Sequence, residues 1–261
     1  MRQPGLFLTA ALTAWAATAP TMAAGDGAID RPVDLALVLL TDVSNSMDDR
    51  DYQMVKEGYK SAFADPQVIR AILDNSKGVA IAYVEFSGKD EFIVVKGWDV
   101  LTDATSARSF GDAVAAAPRS SNGNTALAVS IRKAVEMLKT DGIGAGRRVI
   151  DVASDHPNDD GRSAPVRDAA VAAGITINAL PIVDGHPMVM YDGHLTYATQ
   201  QWGFEDPVEF YRNHVIGGPG SFLVEVHDYA AFGEALKRKL LRELISSPGP
   251  DSVSGTLAAT E

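Results

Sequence analysis

The sequence predicts an α/β domain, doubly wound, with a mostly parallel central sheet flanked by helices and one antiparallel edge strand. Three observations carry that expectation. Residues 33–40 (VDLALVLL) are almost continuously aliphatic, the pattern of a strand covered on both faces rather than one that alternates toward solvent. Strand-like and helix-like segments then alternate up to residue 243, as in a sheet built through right-handed crossovers. Two of the apolar runs end in turns carrying aspartate and hydroxyl side chains, at the strand ends where such folds form their crevice.

Taken in order, residues 1–24 have the features of a signal peptide: Arg2, an uncharged apolar stretch over residues 5–17, then Pro20 before the small residues Ala23 and Ala24. That stretch falls short of the roughly 20 residues needed to span a bilayer. Residues 25–32 are a polar lead-in to a domain expected over residues 33–245. After the first strand, Ser46-Met47-Asp48-Asp49 reads as a helix start, with Asp48, Asp49 and Asp51 favoured there by the helix dipole. Helices follow to about residue 63 and over 66–73. A strand over 79–86 pairs with one over 92–95 across the Gly88-Lys89-Asp90 turn. A helix over 104–117 ends at Pro118, and a Gly-Asn loop places Thr125 at the start of the next amphipathic helix. Then come a strand over 148–153, a turn from Ser154 to Gly161, a helix over 165–173 and a strand over 175–183. Residues 184–203 show no period and read as an irregular excursion or lid. A helix over 206–214, a strand over 221–226 and a final helix capped by Asp228 complete the domain, and residues 246–261 read as a disordered tail.

The chain has 261 residues and a net charge of -11. Without residues 1–24 it keeps 22 basic against 34 acidic residues, a net charge of -12. Such a surface repels nucleic acid and anionic lipid. With no cysteine, disulfides, thiolate metal sites and cysteine nucleophiles are excluded. The five histidines show no His-Glu-x-x-His spacing, and there is no Gly-x-Ser-x-Gly elbow, phosphate-cradling Gly-Lys-Ser/Thr loop or dinucleotide fingerprint.

The residues with the clearest chemistry are Asp42, Ser44 and Ser46 after the first strand, Thr125 at its helix start, and Asp155 after the strand over 148–153. Together they offer two carboxylates and three hydroxyls from three loops, hard oxygen donors of the kind that hold Mg²⁺ or Ca²⁺. Each also has an ordinary structural role open to it. Ser46 and Thr125 can cap helices, and Asp155 can shape its turn. His156 is either a ligand or pH-sensitive gate beside the site, or an exposed turn residue. Tyr191, Tyr197, Trp202 and Phe204 either form a contact patch or pin the excursion to the domain.

Asp-x-Ser-x-Ser after the first strand, a Thr opening a later helix and an Asp after a further strand resemble the metal-ion-dependent adhesion site of von Willebrand factor type A (vWA) domains. More narrowly, residues 148–152 (RVIDV), 174–182 (GITINALPI) and 215–222 (VIGGPGSF) are similar to domain-of-unknown-function family 1194, secreted bacterial vWA-like proteins. The resemblance covers residues 33–243 and implies a vWA/Rossmann-like fold. It implies that Ser44, Ser46 and Thr125 contact a divalent cation, Mg²⁺ or else Ca²⁺ or Mn²⁺, with Asp42 and Asp155 bound directly or through water. A protein partner's Asp or Glu would then complete the shell. Two departures stand out: His156-Pro157 where the family pattern has Gly, and the length of the excursion.

The expected function is therefore an exported binding module, periplasmic or secreted, with no membrane span after signal cleavage and no enzymatic activity. His156, Tyr191 and Trp202 are its expected partner contacts. The alternatives are a metal-dependent hydrolase, with Asp155 or His156 as base, and a metal-free structural subunit of an envelope complex.

Overall fold

A computed structural model describes residues 32–155, 162–183, 188–191, 193–197 and 205–245. The signal-peptide stretch, the lead-in up to residue 31 and the tail lie outside them. The elements are β1 (Val33–Asp42), α1 (Asp49–Ala64), α2 (Pro66–Asp74), β2 (Val79–Phe86), β3 (Phe92–Leu101), α3 (Ala104–Ala116), α4 (Leu127–Thr140) and β4 (Ala145–Ser154), followed by α5 (Ser163–Ala172), β5 (Ile175–Pro181), β6 (Met188–Tyr191), β7 (His194–Tyr197), α6 (Pro207–Phe210) and α7 (Phe232–Ile245).

The central sheet has the order β3-β2-β1-β4-β5. β1 pairs in parallel with β2 and β4, β4 in parallel with β5, and β3 closes one edge antiparallel to β2. β1 is buried on both faces, and its side chains divide between two cores. Leu35, Leu37 and Leu39 meet Tyr59 and Phe63 of α1, Phe110 of α3 and Phe232 and Leu236 of α7. Ala36, Val38 and Leu40 meet Leu127, Ile131 and Leu138 of α4 together with Tyr211 and Val215. This is the physical reason the run does not alternate: neither face sees water.

The structure departs from the sequence expectations at four places. β3 extends to Leu101 instead of stopping at Val95, because a register shift opposite Ile81 and Tyr83 absorbs Gly97 on a half-exposed edge strand. The strand expected over 221–226 is reduced to isolated parallel bridges, Ala179 with Leu223 and Ile182 with Val226. The helix expected over 206–214 is a single α turn capped by Asp206 that runs into a π-helical segment, Tyr211–Val215. Within the excursion, β6 and β7 form a two-stranded antiparallel sheet.

From β1 the chain proceeds outward to β2 and β3, then returns to β4 on the other side. Its direction of winding therefore reverses beside β1, and the carboxyl ends of β1 and β4 flank the switch point.

Candidate functional site

Asp42 is the last residue of β1, and the chain leaves the sheet there. Val43 N–H donates to Phe86 O at 2.8 Å and Asn45 N–H to Gly123 O at 2.9 Å, which fixes the departing loop against β2 and the loop before α4. Ser44 N–H donates to Asp42 Oδ1 at 2.8 Å, and Ser154 Oγ, at the end of β4, donates to Asp42 Oδ2 at 2.6 Å. Both carboxylate oxygens are thereby oriented in a group that is 1% exposed.

The five residues singled out in the sequence converge here. Thr125 Oγ1 donates to Ser44 Oγ at 3.0 Å, Ser44 Oγ lies 3.0 Å from Ser46 Oγ, and Ser46 Oγ donates to Asp155 Oδ1 at 2.9 Å. Since the Ser46 proton is directed to Asp155, Ser44 donates to Ser46, and the three hydroxyls form a relay running from the α4 side to the end of β4.

The capping roles open to these residues fall to others. α1 is capped by Asp48, which accepts from Arg50 N–H at 2.7 Å and Asp51 N–H at 2.8 Å, so Ser46 is not the cap. α4 begins at Leu127 after Ala126 with no side-chain cap, so Thr125 precedes the helix instead of opening it.

Burial, and then the nearby charge of Asp155, push the Asp42 carboxyl from its ordinary 3.8 up to about 7, against the opposing hydrogen bonds from Ser154 and Ser44. Among the described residues no lysine or arginine forms an ion pair with Asp42 or Asp155. Nor do three His, Cys, Asp or Glu side chains cluster there for a metal, so any ion would draw most of its protein donors from hydroxyls. A hard divalent cation fits this set. It would neutralise the Asp42 carboxylate, which burial makes costly to ionise, together with its neighbour Asp155, and oxygen donors suit Mg²⁺, Mn²⁺ or Ca²⁺.

Three residues here were not anticipated. Arg119 Nη2 donates to the carbonyls of Val43, Ser44 and Met47 at 2.8, 2.7 and 2.9 Å, and its Nε donates to Ser121 O at 3.1 Å, so one guanidinium gathers the site loop. Ser154 holds Asp42 as described. Tyr229 OH donates to Asp155 Oδ2 at 2.8 Å. The hydroxyl of Ser154 beside Asp155 was visible in the sequence; Arg119 and Tyr229 carry no local pattern. His156 and Trp202 lie outside the described residues, as does the side chain of Tyr191, whose backbone belongs to β6.

A von Willebrand factor type A protein from Catenulispora acidiphila superposes with a TM-score of 0.53 at 17% identity, covering 81% of this chain and 43% of that one. Proximal thread matrix protein 1 from the mussel byssus, in a structure with a zinc-occupied MIDAS motif, gives 0.54 at 13% identity over 82% and 46%. BatB from Bacteroides thetaiotaomicron gives 0.52 at 19% identity over 82% of this chain and all of that one. The chain thus spans less than half of the first two, and at these identities the likeness is one of fold. No curated protein matches the sequence. A family model described as "Protein of unknown function (DUF1194)" matches residues 32–248. With a vWA-like fold and that match over most of its length, the chain belongs to the DUF1194 family.

Proposed function

We propose that the protein is an exported binding module that uses a divalent cation, held by Asp42, Ser44, Ser46, Thr125 and Asp155, to engage an Asp or Glu of a protein partner. The observation that supports this is the hydroxyl relay from Thr125 to Asp155, running beside Asp42, with no lysine or arginine ion-paired to either carboxylate among the described residues. Neutral hydroxyls contribute no charge to an ion, which leaves it attractive to an external anion; this favours binding of a carboxylate. The role is binding, not catalysis, and the place of action is the periplasm or the exterior. Mg²⁺ is the preferred ion, with an affinity on the order of 10⁻⁴ to 10⁻³ M, as is usual for extracellular oxygen-ligand sites.

Capture of partners from a periplasmic extract tests this. Immobilised protein is expected to retain a partner in Mg²⁺ and release it on chelation, and Asp42→Ala is expected to retain none. Equal capture in chelator, or by Asp42→Ala, contradicts the proposal.

A further inference from the structure

Three ionisable side chains that the cation site does not use meet where α7 packs on the sheet. Lys239 and Glu243 stand one turn apart on α7 and share its buried face. Asp151 on β4 and Asn178 on β5 are register partners beneath them. Lys239 Nζ contacts Asp151 Oδ1 and lies 2.7 Å from Glu243 Oε1, which also accepts from Asn178 Nδ2 at 2.9 Å. Lys239 is 0%, Glu243 1% and Asp151 3% exposed. Arg147 Nη2 donates to Glu243 O at 2.9 Å, which anchors this turn of α7 to β4.

One lysine facing two buried carboxylates leaves a surplus negative charge, which the trio relieves by holding a proton. Burial, and then the charge of Glu243, push the Asp151 carboxyl up, against the opposing pull of Lys239. Asp151 Oδ2 and Glu243 Oε2 are buried with no hydrogen-bond partner among the described residues. Glu85 is built differently. It also faces a buried lysine, Lys56, but Tyr52 OH, Tyr83 OH and Ser120 N–H donate to it as well, and no second carboxylate is among its partners.

A protonated carboxyl is an acyl group open to attack. An amine in contact with it is a nucleophile once it loses a proton, and a second carboxylate beside both can move the protons. We propose that Lys239 and Asp151 condense into an intramolecular isopeptide bond, with Glu243 as the acid–base group, a covalent modification that ties α7 to β4. Glu243 takes a proton from the Lys239 ammonium, the freed amine attacks Asp151 Cγ, and Glu243 protonates the departing hydroxyl, which leaves as water when the C–O bond breaks. The second amine proton passes to Glu243. One Nζ–Cγ amide, one water and a neutral Glu243 result, and no oxidant, reductant or cofactor is consumed. Helix and strand hold the reacting groups in contact, so the step is unimolecular and needs no encounter. Until it occurs the trio is the buried ion pair of this structure and Asp151 titrates as a free carboxyl; afterwards neither Lys239 nor Asp151 is charged.

Mass spectrometry of the purified protein, incubated at neutral pH, denatured and then digested with trypsin, provides the test. The intact chain is expected to be lighter than its sequence by one water. The digest is expected to hold a branched peptide joining residues 149–162 to residues 239–242, because trypsin does not cleave after an acylated Lys239. Glu243→Gln keeps both reacting side chains and loses the proton carrier, and should show the full mass with cleavage after Lys239. A wild type at full mass overturns the inference. So does a lost water with residues 149–162 recovered unbranched, which is dehydration elsewhere, and so does a lost ammonia, which would place the bond at Asn178. A branched peptide undiminished in Glu243→Gln overturns the role given to Glu243. The wild-type peptide decides the bond whether or not the variant folds.

Discussion

Asp151 and Asp155 lie on and just beyond the same strand, β4, yet the chain surrounds them in opposite ways. Asp151, 3% exposed, forms an ion pair with Lys239 of α7, which also lies 2.7 Å from Glu243 Oε1; Glu243 in turn accepts from Asn178 Nδ2 at 2.9 Å. Glu85 on β2 is treated likewise. Its Oε1 accepts from Lys56 Nζ and Tyr52 OH at 3.0 Å each, and its Oε2 from Ser120 N–H at 2.9 Å. Where a carboxylate serves the interior, a buried lysine from a packed helix supplies the positive charge. At Asp42 and Asp155 the chain supplies serine and tyrosine hydroxyls and the Ser44 N–H instead. Hydroxyls orient a carboxylate without neutralising it, and that difference separates carboxylates given a counter-charge by the chain from ones suited to an added cation.

The largest effect is expected at the lysine. Lys239→Met leaves two buried carboxylates without their counter-charge and should cost about 3–5 kcal/mol, read as a lowered midpoint in urea. Asp42→Asn keeps the shape and can still pair with Ser44 N–H and Ser154 Oγ. In Mg²⁺-free buffer at pH 8 its stability should stay within about 1 kcal/mol of wild type or exceed it, because it removes a carboxylate that burial disfavours. Equal losses for the two variants would erase the contrast.

The pH dependence follows the same logic. With its carboxyl raised to about 7, folded Asp42 holds a proton that the unfolded chain releases near its ordinary 3.8. Its contribution to stability is therefore fully present below about pH 4 and is lost as pH rises through about 7. Asp151 is also pushed up, by burial and the charge of Glu243, and adds to that decline. Mg²⁺ would bind the ionised form, so the rise in melting temperature that it produces should be larger at pH 8 than at pH 5, and Asp42→Asn should abolish that difference. An effect well below that at Lys239 is expected at Arg119. Arg119→Lys cannot reproduce one planar fork bonded to several carbonyls, and should weaken Mg²⁺ binding by about tenfold in a titration while leaving the fold intact.

Much of this was legible in the sequence, because the signals are local. The aliphatic run of β1 and the Asp42-x-Ser44-x-Ser46 turn lie side by side, and the loops bearing Thr125 and Asp155 follow recognisable breaks. Arg119 and Tyr229 were not legible, since their roles exist only once distant segments meet. The full length of β3 was hidden by Gly97, which reads as a break but sits at a register shift, and the run over 221–226 looks like a strand although it makes only bridges to β5. Ser46 was misleading for a different reason. It occupies a plausible cap position, and the cap passes two residues on to Asp48, freeing the hydroxyl for Asp155.

In the proposed function Asp42 and Asp155, unlike Asp151 and Glu85, take their counter-charge from a cation outside the chain. Calorimetric titration of MgCl₂ into the wild type and Asp42→Asn at pH 8 tests it most directly. The expected result is saturable heat in the wild type and none in the variant; no heat in either, or the same heat in both, would contradict it.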